Sequence, residues 1–237
     1  VPANDGNLTV TEINYHPHAA LPALGELDVD ADRFEFIELT NTSDVPISLF
    51  GVHFTVGLQY AFGNDLLEPH AQIVVVRDGA AFASRYGSSA RVAGEFTAGG
   101  LGNGGEIIAV AADDGTPIAQ LEYNDRGAWP SRADGDGSSL ERIDPASPIE
   151  AASSWRASPL VGGSPGAAGV ESVVDVIINE VSSRPAGGTD DLIELYNTSL
   201  AAVDIGGWYL SDDADNLIQT QLESIMIDSH DYATIDM

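Results

Sequence analysis

Short apolar runs alternate with polar turns along most of the chain, and this pattern predicts β-strands. In residues 34–39, apolar and charged side chains fall on mostly opposite faces of an extended chain. The run at 72–77 is rich in valine and isoleucine, as in a buried strand. The predicted strands are 34–39, 47–56, 72–77, 105–112 and 117–123, with one or two helical turns at 80–86. The predicted core residues are Ile37, Leu39, Val74, Val76, Ile107, Val110 and Trp129.

Part of this pattern occurs twice. The segment Phe36–Ser43 returns as Leu192–Ser199, and the strand after it is matched as well. The other matching pairs are Glu12 with Glu180, Pro17 with Pro185, and His70 with His230. We therefore predict two homologous units, at 1–166 and 174–237, joined by a linker at 167–173.

The second unit is expected to be truncated. Its end, His230–Met237, aligns with His70–Arg77, and the first unit continues past that point through its clearest hairpin. A sandwich without those strands has an unpaired sheet edge. We expect that the natural chain continues beyond Met237, or that the edge pairs with another copy or another chain.

The net charge of the chain limits the classes of partner that it can bind. The 237 residues carry 9 basic and 37 acidic side chains, a net charge of −28, and the sequence has no cysteine. A surface this negative repels nucleic acid and anionic lipid. The sequence contains no run of about 18 apolar residues that could span a membrane. We expect no nucleic acid partner and no membrane insertion. The lack of cysteine excludes disulfides, thiol nucleophiles and cysteine-bound zinc.

No pattern makes a credible catalytic site, so we predict no catalytic residues and no enzyme activity. Gly162–Gly166 fits the G-x-S-x-G nucleophile motif, but Pro165 has no N–H to offer an oxyanion hole. His16 and His18 flank a proline and are interpreted as loop residues, because no third metal ligand is identifiable.

Two glutamates within predicted strands are the other candidates for chemistry. Glu12 and Glu38 both recur in the second unit, and a carboxylate pair serves acid–base catalysis when one member lies in a cleft. Nothing in the sequence indicates such a cleft. The favoured interpretation is that both face solvent or pair with arginine across strands.

The strongest ligand candidate is the acidic segment that carries Asp28, Asp30 and Asp32. Alternating carboxylates resemble the start of a calcium loop, although Arg33 occupies the position that glycine takes in an EF-hand. We predict a weak Ca²⁺ site at these three aspartates, and the alternative is a solvated acidic loop. Calcium is the only cofactor that the sequence suggests.

Several short motifs together resemble the lamin tail domain family in its bacterial exported form. They include Glu12-Ile13-Asn14, Glu35–Asn41, Ile47–Gly51, Gly102–Glu106, Trp129-Pro130, Asp134–Glu141, Trp155 and Gly163–Gly166. The resemblance implies an all-β, immunoglobulin-like antiparallel β-sandwich in two tandem units. It also implies an accessory module of a larger exported bacterial or archaeal protein. Nuclear lamin tails have basic surfaces, so their DNA contacts are not expected of this acidic chain.

These observations favour a non-catalytic structural or adhesive binding module at the cell surface or outside the cell. Its expected partners are proteins or surface polymers, with self-association through an open sheet edge as a further expectation. The alternative is a targeting module of a secreted hydrolase or nuclease whose catalytic domain lies outside this chain.

Overall fold

The computed structural model describes residues 1–169, 175–183, 191–213 and 216–236. The chain forms two compact units, Val1–Glu171 and Ser172–Met237. Most of the predicted linker lies outside the described residues, and the predicted domain boundaries stay a prediction. None of the helices in the described ranges is long and apolar enough to cross a lipid bilayer.

Strands dominate the first unit, as the sequence pattern predicts. Its elements are β1 (Leu8–Asn14), β2 (Phe36–Asn41), β3 (Ile47–Ser48), β4 (His53–Val56), β5 (Leu66–Leu67), β6 (Gln72–Val76), α1 (Gly79–Tyr86), β7 (Val92–Glu95), β8 (Gly105–Ala111), β9 (Pro117–Asn124), β10 (Leu140–Arg142) and β11 (Trp155–Ala157). Short 3-10 turns lie at Pro22–Leu24, Ala31–Phe34, Ser131–Ala133 and Ala152–Ser154.

Two sheets enclose the main core of this unit. The larger has the order β11-β10-β1-β2-β6-β7 and is antiparallel except between β6 and β7, and the smaller has the order β4-β8-β9. The larger sheet contributes Ile37 and Leu39 to the core, and the smaller contributes Ile108 and Val110. All four are at most 1% exposed. The result is an all-β sandwich.

The crossover between the parallel strands β6 and β7 passes through α1. The Asp78 side chain begins this helix by accepting hydrogen bonds from the N–H groups of Ala80 and Ala81, both at 3.0 Å. Phe82 then packs on the outer face of the large sheet, against Phe36. This second apolar cluster covers one end of that face.

The second unit repeats the first part of this plan. Its strands are β12 (Val176–Ser182), β13 (Leu192–Asn197), β14 (Val203–Asp204), β15 (Tyr209–Leu210), β16 (Thr220–Gln221), β17 (Met226–Ile227) and β18 (Tyr232–Asp236). The sheet β12-β13-β18 matches β1-β2-β6, and the described residues of this unit contain no counterpart of β8–β11. Its small core is formed by Leu195, Ile205, Leu222, Ile227 and Ile235.

The predicted hairpin and short helix are confirmed, and three details of the prediction are wrong. Ile107 is 39% exposed, because Ile108 and Val110 take the inward positions and side chains alternate along β8. The predicted strand at 47–56 breaks into β3 and β4 at a turn where Gly51 has a φ of 75°. Val74 and Val76 are buried, but beneath α1 rather than in the main core. Trp129 is half-buried against Trp155.

Candidate functional site

Strand β2 presents different chemistry to each face of the large sheet. Ile37 and Leu39 point into the core, whereas Phe36, Glu38 and Thr40 alternate with them on the outer face. The outer face is therefore apolar beneath α1, bears a carboxylate in the middle, and bears hydroxyl groups at the far end. The first two zones are covered by other parts of the chain, and the third is open to solvent.

A β-bulge brings a second glutamate to the middle zone. The register between β1 and β2 shifts between Val10 and Glu12, so Thr11 is the extra residue. Glu12 then lies opposite Glu38 on β2 and opposite Glu141 on β10. These three carboxylates, here called the glutamate cluster, are each 2% exposed. Three adjacent strands thus place three acidic groups in one buried site.

Residues 162–169, here called the clasp loop, cover the cluster and donate hydrogen bonds to it. The Ser164 N–H donates to Glu12 Oε1 at 2.8 Å, and the Ser164 hydroxyl donates to Glu141 Oε1 at 2.8 Å. The second oxygen of Glu141 accepts a hydrogen bond from Arg156 Nε at 3.2 Å. A single serine therefore joins the clasp loop to two strands.

The remaining bonds of the cluster are equally short. Glu38 accepts one from the Gly166 N–H at 2.7 Å and one from the Thr11 hydroxyl at 2.6 Å. Glu12 also accepts one from the Ser139 hydroxyl at 2.6 Å. Because every member has a local donor, the cluster is a hydrogen-bonded part of the fold.

Burial changes the acidity of this site. Desolvation raises the pKa of Glu38 to about 7, and its hydrogen bonds with Thr11 and Gly166 lower it only in part. Burial, and then the neighbouring Glu38, raise the pKa of Glu12 well above its usual range. Two carboxyls so close do not both ionise readily, because the charge of one disfavours the charge of the other.

One glycine of the clasp loop is required by this geometry. Gly163 has a φ of 102°, a conformation that other residues rarely adopt. A Cβ atom there would overlap the Glu12 carboxylate and the Ser139 hydroxyl. The close approach of the loop backbone to the cluster therefore depends on the missing side chain.

A solvent-open groove of about 870 Å³ continues the same face beyond the clasp loop. Its floor is hydroxyl- and amide-bearing and is formed by Thr9, Thr11, Thr40, Thr42 and Gln72. We call it the threonine groove. Glu38 lies at its inner end, so the groove and the glutamate cluster form one continuous polar surface.

The sequence profile of the lamin tail domain family matches residues 2–125 and 170–236, which is more than half of the chain. The chain belongs to the lamin tail domain family. No curated protein and no solved structure matches it. Lamin tail domains are non-enzymatic, immunoglobulin-like modules with binding or structural roles.

The two lamin tail domains share a corner built by one asparagine at the end of a strand. Asn41 and Asn197 are both 0% exposed. In the first domain the side-chain amide donates to the carbonyls of Val45, Leu67 and Glu68 at 2.8, 3.0 and 3.0 Å. In the second it donates to the carbonyls of Ala201, Ile227 and Asp228 at 2.7, 2.9 and 3.1 Å. The repeated asparagine is therefore a structural residue.

The second lamin tail domain also repeats the bulge. Asn179 is the extra residue there, and its amide donates to Glu194 Oε1 at 2.6 Å, as Thr11 does to Glu38. Glu180 lies opposite Glu194 but is exposed. The described part of this domain supplies no third glutamate strand and no clasp loop. The same pair is thus buried in one copy and open in the other.

The expectation that Glu12 and Glu38 face solvent or pair with arginine is wrong. Their cover comes from Ser164 and Gly166, which lie far along the chain, and a pattern of local alternation does not show such a contact. The one available signal was the glycine- and serine-rich segment at 162–166. Its Ser164 is a hydrogen-bond donor to two glutamates.

The three aspartates of the predicted calcium site lie in and before a 3-10 turn. Asp28 and Asp30 are exposed, and Asp32 Oδ2 is 3.5 Å from Arg77 Nη1. Within the described ranges, no group of three or more histidine and acidic side chains is positioned to hold a metal ion. Calcium binding stays a prediction.

The histidines fit loop and turn roles. His16 Nδ1 contacts Asp134 Oδ1 at 2.7 Å, and His18 Nδ1 contacts the Ala19 carbonyl at 2.7 Å, so the two rings have different partners. His70 and His230 have φ values of 57° and 58° in matching turns. Their recurrence therefore reflects the turn conformation.

Proposed function

We propose that this chain is a non-catalytic extracellular or cell-surface module with a structural or adhesive role in a larger protein. The observation that carries the proposal is the way the clasp loop binds the glutamate cluster. A general acid or base must reach a substrate proton. Here Glu12 is 2% exposed and accepts hydrogen bonds from Ser139 and Ser164, so its carboxyl serves the fold.

Charge supports protein or surface-polymer partners. A net charge of −28 opposes binding to nucleic acid and to anionic membranes. Such a net charge also keeps a protein soluble. The open threonine groove offers a surface for a partner that does not carry strong negative charge.

The second unit supports strand addition as a further mode of association. Among the described residues β12 is an edge strand. Ile178 and Val181 on its core face are 56% and 62% exposed, whereas their counterparts Val10 and Ile13 in the first unit are both 0% exposed. In the first unit β10 pairs with the corresponding edge. We infer that β12 pairs with the same strand of a second copy through backbone hydrogen bonds.

Localisation and turnover assays test the main proposal. Fractionation of cells that produce the protein, followed by detection of residues 1–237 with an antibody, should place the chain at the surface or in the medium. The purified chain should show no hydrolase or nuclease turnover above a heat-denatured sample. A cytoplasmic location, or turnover that Glu12→Gln abolishes without unfolding the chain, would overturn the proposal.

Light scattering after size-exclusion chromatography tests self-association. We expect the mass of the purified chain to rise towards twice 24.8 kDa with concentration, and Val181→Lys to keep it at the monomer value. Leu200→Lys is the matched control, because Leu200 is 89% exposed and lies outside β12. A monomer at all concentrations would contradict pairing along this edge.

A further inference from the structure

The threonine groove has a floor whose hydroxyl groups are linked to one another. Thr11 Oγ1 lies 2.6 Å from Glu38 Oε1 and 2.8 Å from Thr40 Oγ1. Thr9 lies directly opposite Thr40, which in turn lies opposite Gln72 on β6. Three neighbouring strands, about 4.8 Å apart, therefore place a row of polar groups across the floor.

The direction of this hydroxyl chain depends on the proton of Glu38. When Glu38 is ionised, Thr11 donates to it, Thr40 donates to Thr11, and the Thr40 oxygen is left as an acceptor for the groove. When Glu38 is protonated, the chain can run the other way and Thr40 becomes a donor. A ligand hydroxyl both donates and accepts, so it matches both states. A fully ionised phosphate only accepts hydrogen bonds, so it matches only the state in which Thr40 is a donor.

One wall of the groove is apolar. Ile118 and Ile143 line it together with Ile149; Ile143 is 56% exposed, whereas Ile118 is 7% exposed and belongs to the core. A ligand in this groove therefore meets hydroxyl groups on one side and aliphatic carbon on the other. This combination fits the two surfaces of a sugar ring, its hydroxyl edge and its C–H face.

The charges around the groove are largely balanced on its inner side. Arg156 neutralises Glu141 there, and the Arg142 guanidinium is held by the backbone carbonyls of residues 144, 145 and 147. Two further carboxylates, those of Asp5 and Asp144, line the groove as well. These two groups disfavour sulfated or otherwise anionic ligands, and neither arginine is available to bind one.

We propose that the threonine groove binds a neutral polysaccharide, with the hydroxyl groups of the sugar on the threonine floor and its C–H face on the isoleucine wall. This inference rests on the proposed role as a surface binding module and assigns that role a ligand class. Thr9, Thr42 and Gln72 make the direct hydrogen bonds, since all three are partly exposed on the floor.

Affinity gel electrophoresis of the full chain tests the proposal. The native gels contain a mixed-linkage β-glucan, a galactomannan, a xylan or starch, and parallel gels contain heparin or polylysine. We expect retardation by at least one neutral polysaccharide and none by heparin. The double variant Thr9→Val/Thr42→Val keeps side-chain volume and strand propensity but removes two hydroxyls, and it should weaken the binding about tenfold.

The control variant is Thr55→Val, which replaces an exposed threonine on β4 of the other sheet. It should bind as the unmodified chain does, and circular dichroism should show that all variants are folded. No retardation in the four neutral gels overturns the inference, as does retardation that the double variant leaves unchanged. A third outcome is that polylysine retards the chain, the double variant abolishes this retardation, and no neutral polysaccharide retards the chain. That result indicates a basic peptide ligand instead. Cell fractionation measures surface localisation separately. A negative result in the gels therefore contradicts polysaccharide binding without contradicting the proposed function.

Discussion

Glu12 lies directly opposite Glu38 on neighbouring antiparallel strands, and both side chains are 2% exposed. Two adjacent carboxyls would repel each other if both were ionised. Protons and the hydrogen bonds of the clasp loop stabilise the arrangement instead. The consequences of this pair are measurable in the stability of the first lamin tail domain.

The first prediction concerns pH. Burial raises the pKa of Glu38 from its ordinary 4.5 to about 7, so the folded state favours the protonated carboxyl. This contribution to stability is fully present below about pH 4.5 and is lost as the pH rises to about 7, by about 3 kcal/mol. Glu38→Gln should therefore lose less stability than the unmodified chain between pH 4.5 and pH 8 in urea unfolding.

Glu68→Gln is the control for this experiment, because Glu68 is exposed and lies outside the cluster. It should keep the pH dependence of the unmodified chain. If Glu38→Gln and Glu68→Gln lose the same stability over this pH range, the Glu38 carboxyl is not the titrating group.

The second prediction concerns the clasp loop. Gly163→Ala should destabilise the first unit by about 3 kcal/mol, because the new methyl group overlaps Glu12 and Ser139 in a backbone conformation that alanine rarely adopts. Gly127→Ala is matched, since Gly127 also has a positive φ of 71° but has no atom within 4 Å of the added Cβ. It should cost about 1 kcal/mol. Equal losses in thermal unfolding would show that the overlap at Gly163 is relieved at no cost.

The third prediction separates the two units. Asn41→Ala and Asn197→Ala each remove a buried side-chain amide that donates to three backbone carbonyls through its two N–H groups, and each should cost its own unit about 3 kcal/mol. Trp129 and Trp155 lie in the first unit and Trp208 in the second. Trp208→Phe and a Trp129→Phe/Trp155→Phe double variant therefore give fluorescence signals for one unit at a time.

Each asparagine variant should shift only the unfolding curve of its own unit. Asn64→Ala, at an exposed position, is the control and should shift neither. A single transition that moves equally in both tryptophan backgrounds would show that the two units unfold together.

Local alternation was enough to predict much of the fold. The hairpin of β8 and β9 and the repeat of β2 as β13 follow from patterns within a few residues. The contacts of Glu12 with Ser139 and Ser164 join distant parts of the chain, so alternation could not predict them. The bulge at Thr11 could not be predicted either. It places two consecutive polar residues on one face, and in the sequence this is indistinguishable from a break in the alternation.

The last prediction concerns calcium at Asp28, Asp30 and Asp32. The structure places Asp32 near the Arg77 guanidinium, at 3.5 Å, so a bound cation would compete with that pair. If the segment closes around Ca²⁺, binding to the folded chain alone should raise the melting temperature by mass action. We expect a higher midpoint in excess calcium than in chelator, and a smaller shift for Asp30→Ala. Glu122→Ala removes one exposed carboxylate from β9 and should shift as the unmodified chain does. Equal midpoints with and without calcium, or an Asp30→Ala variant that responds fully, would leave the segment as a solvated acidic loop.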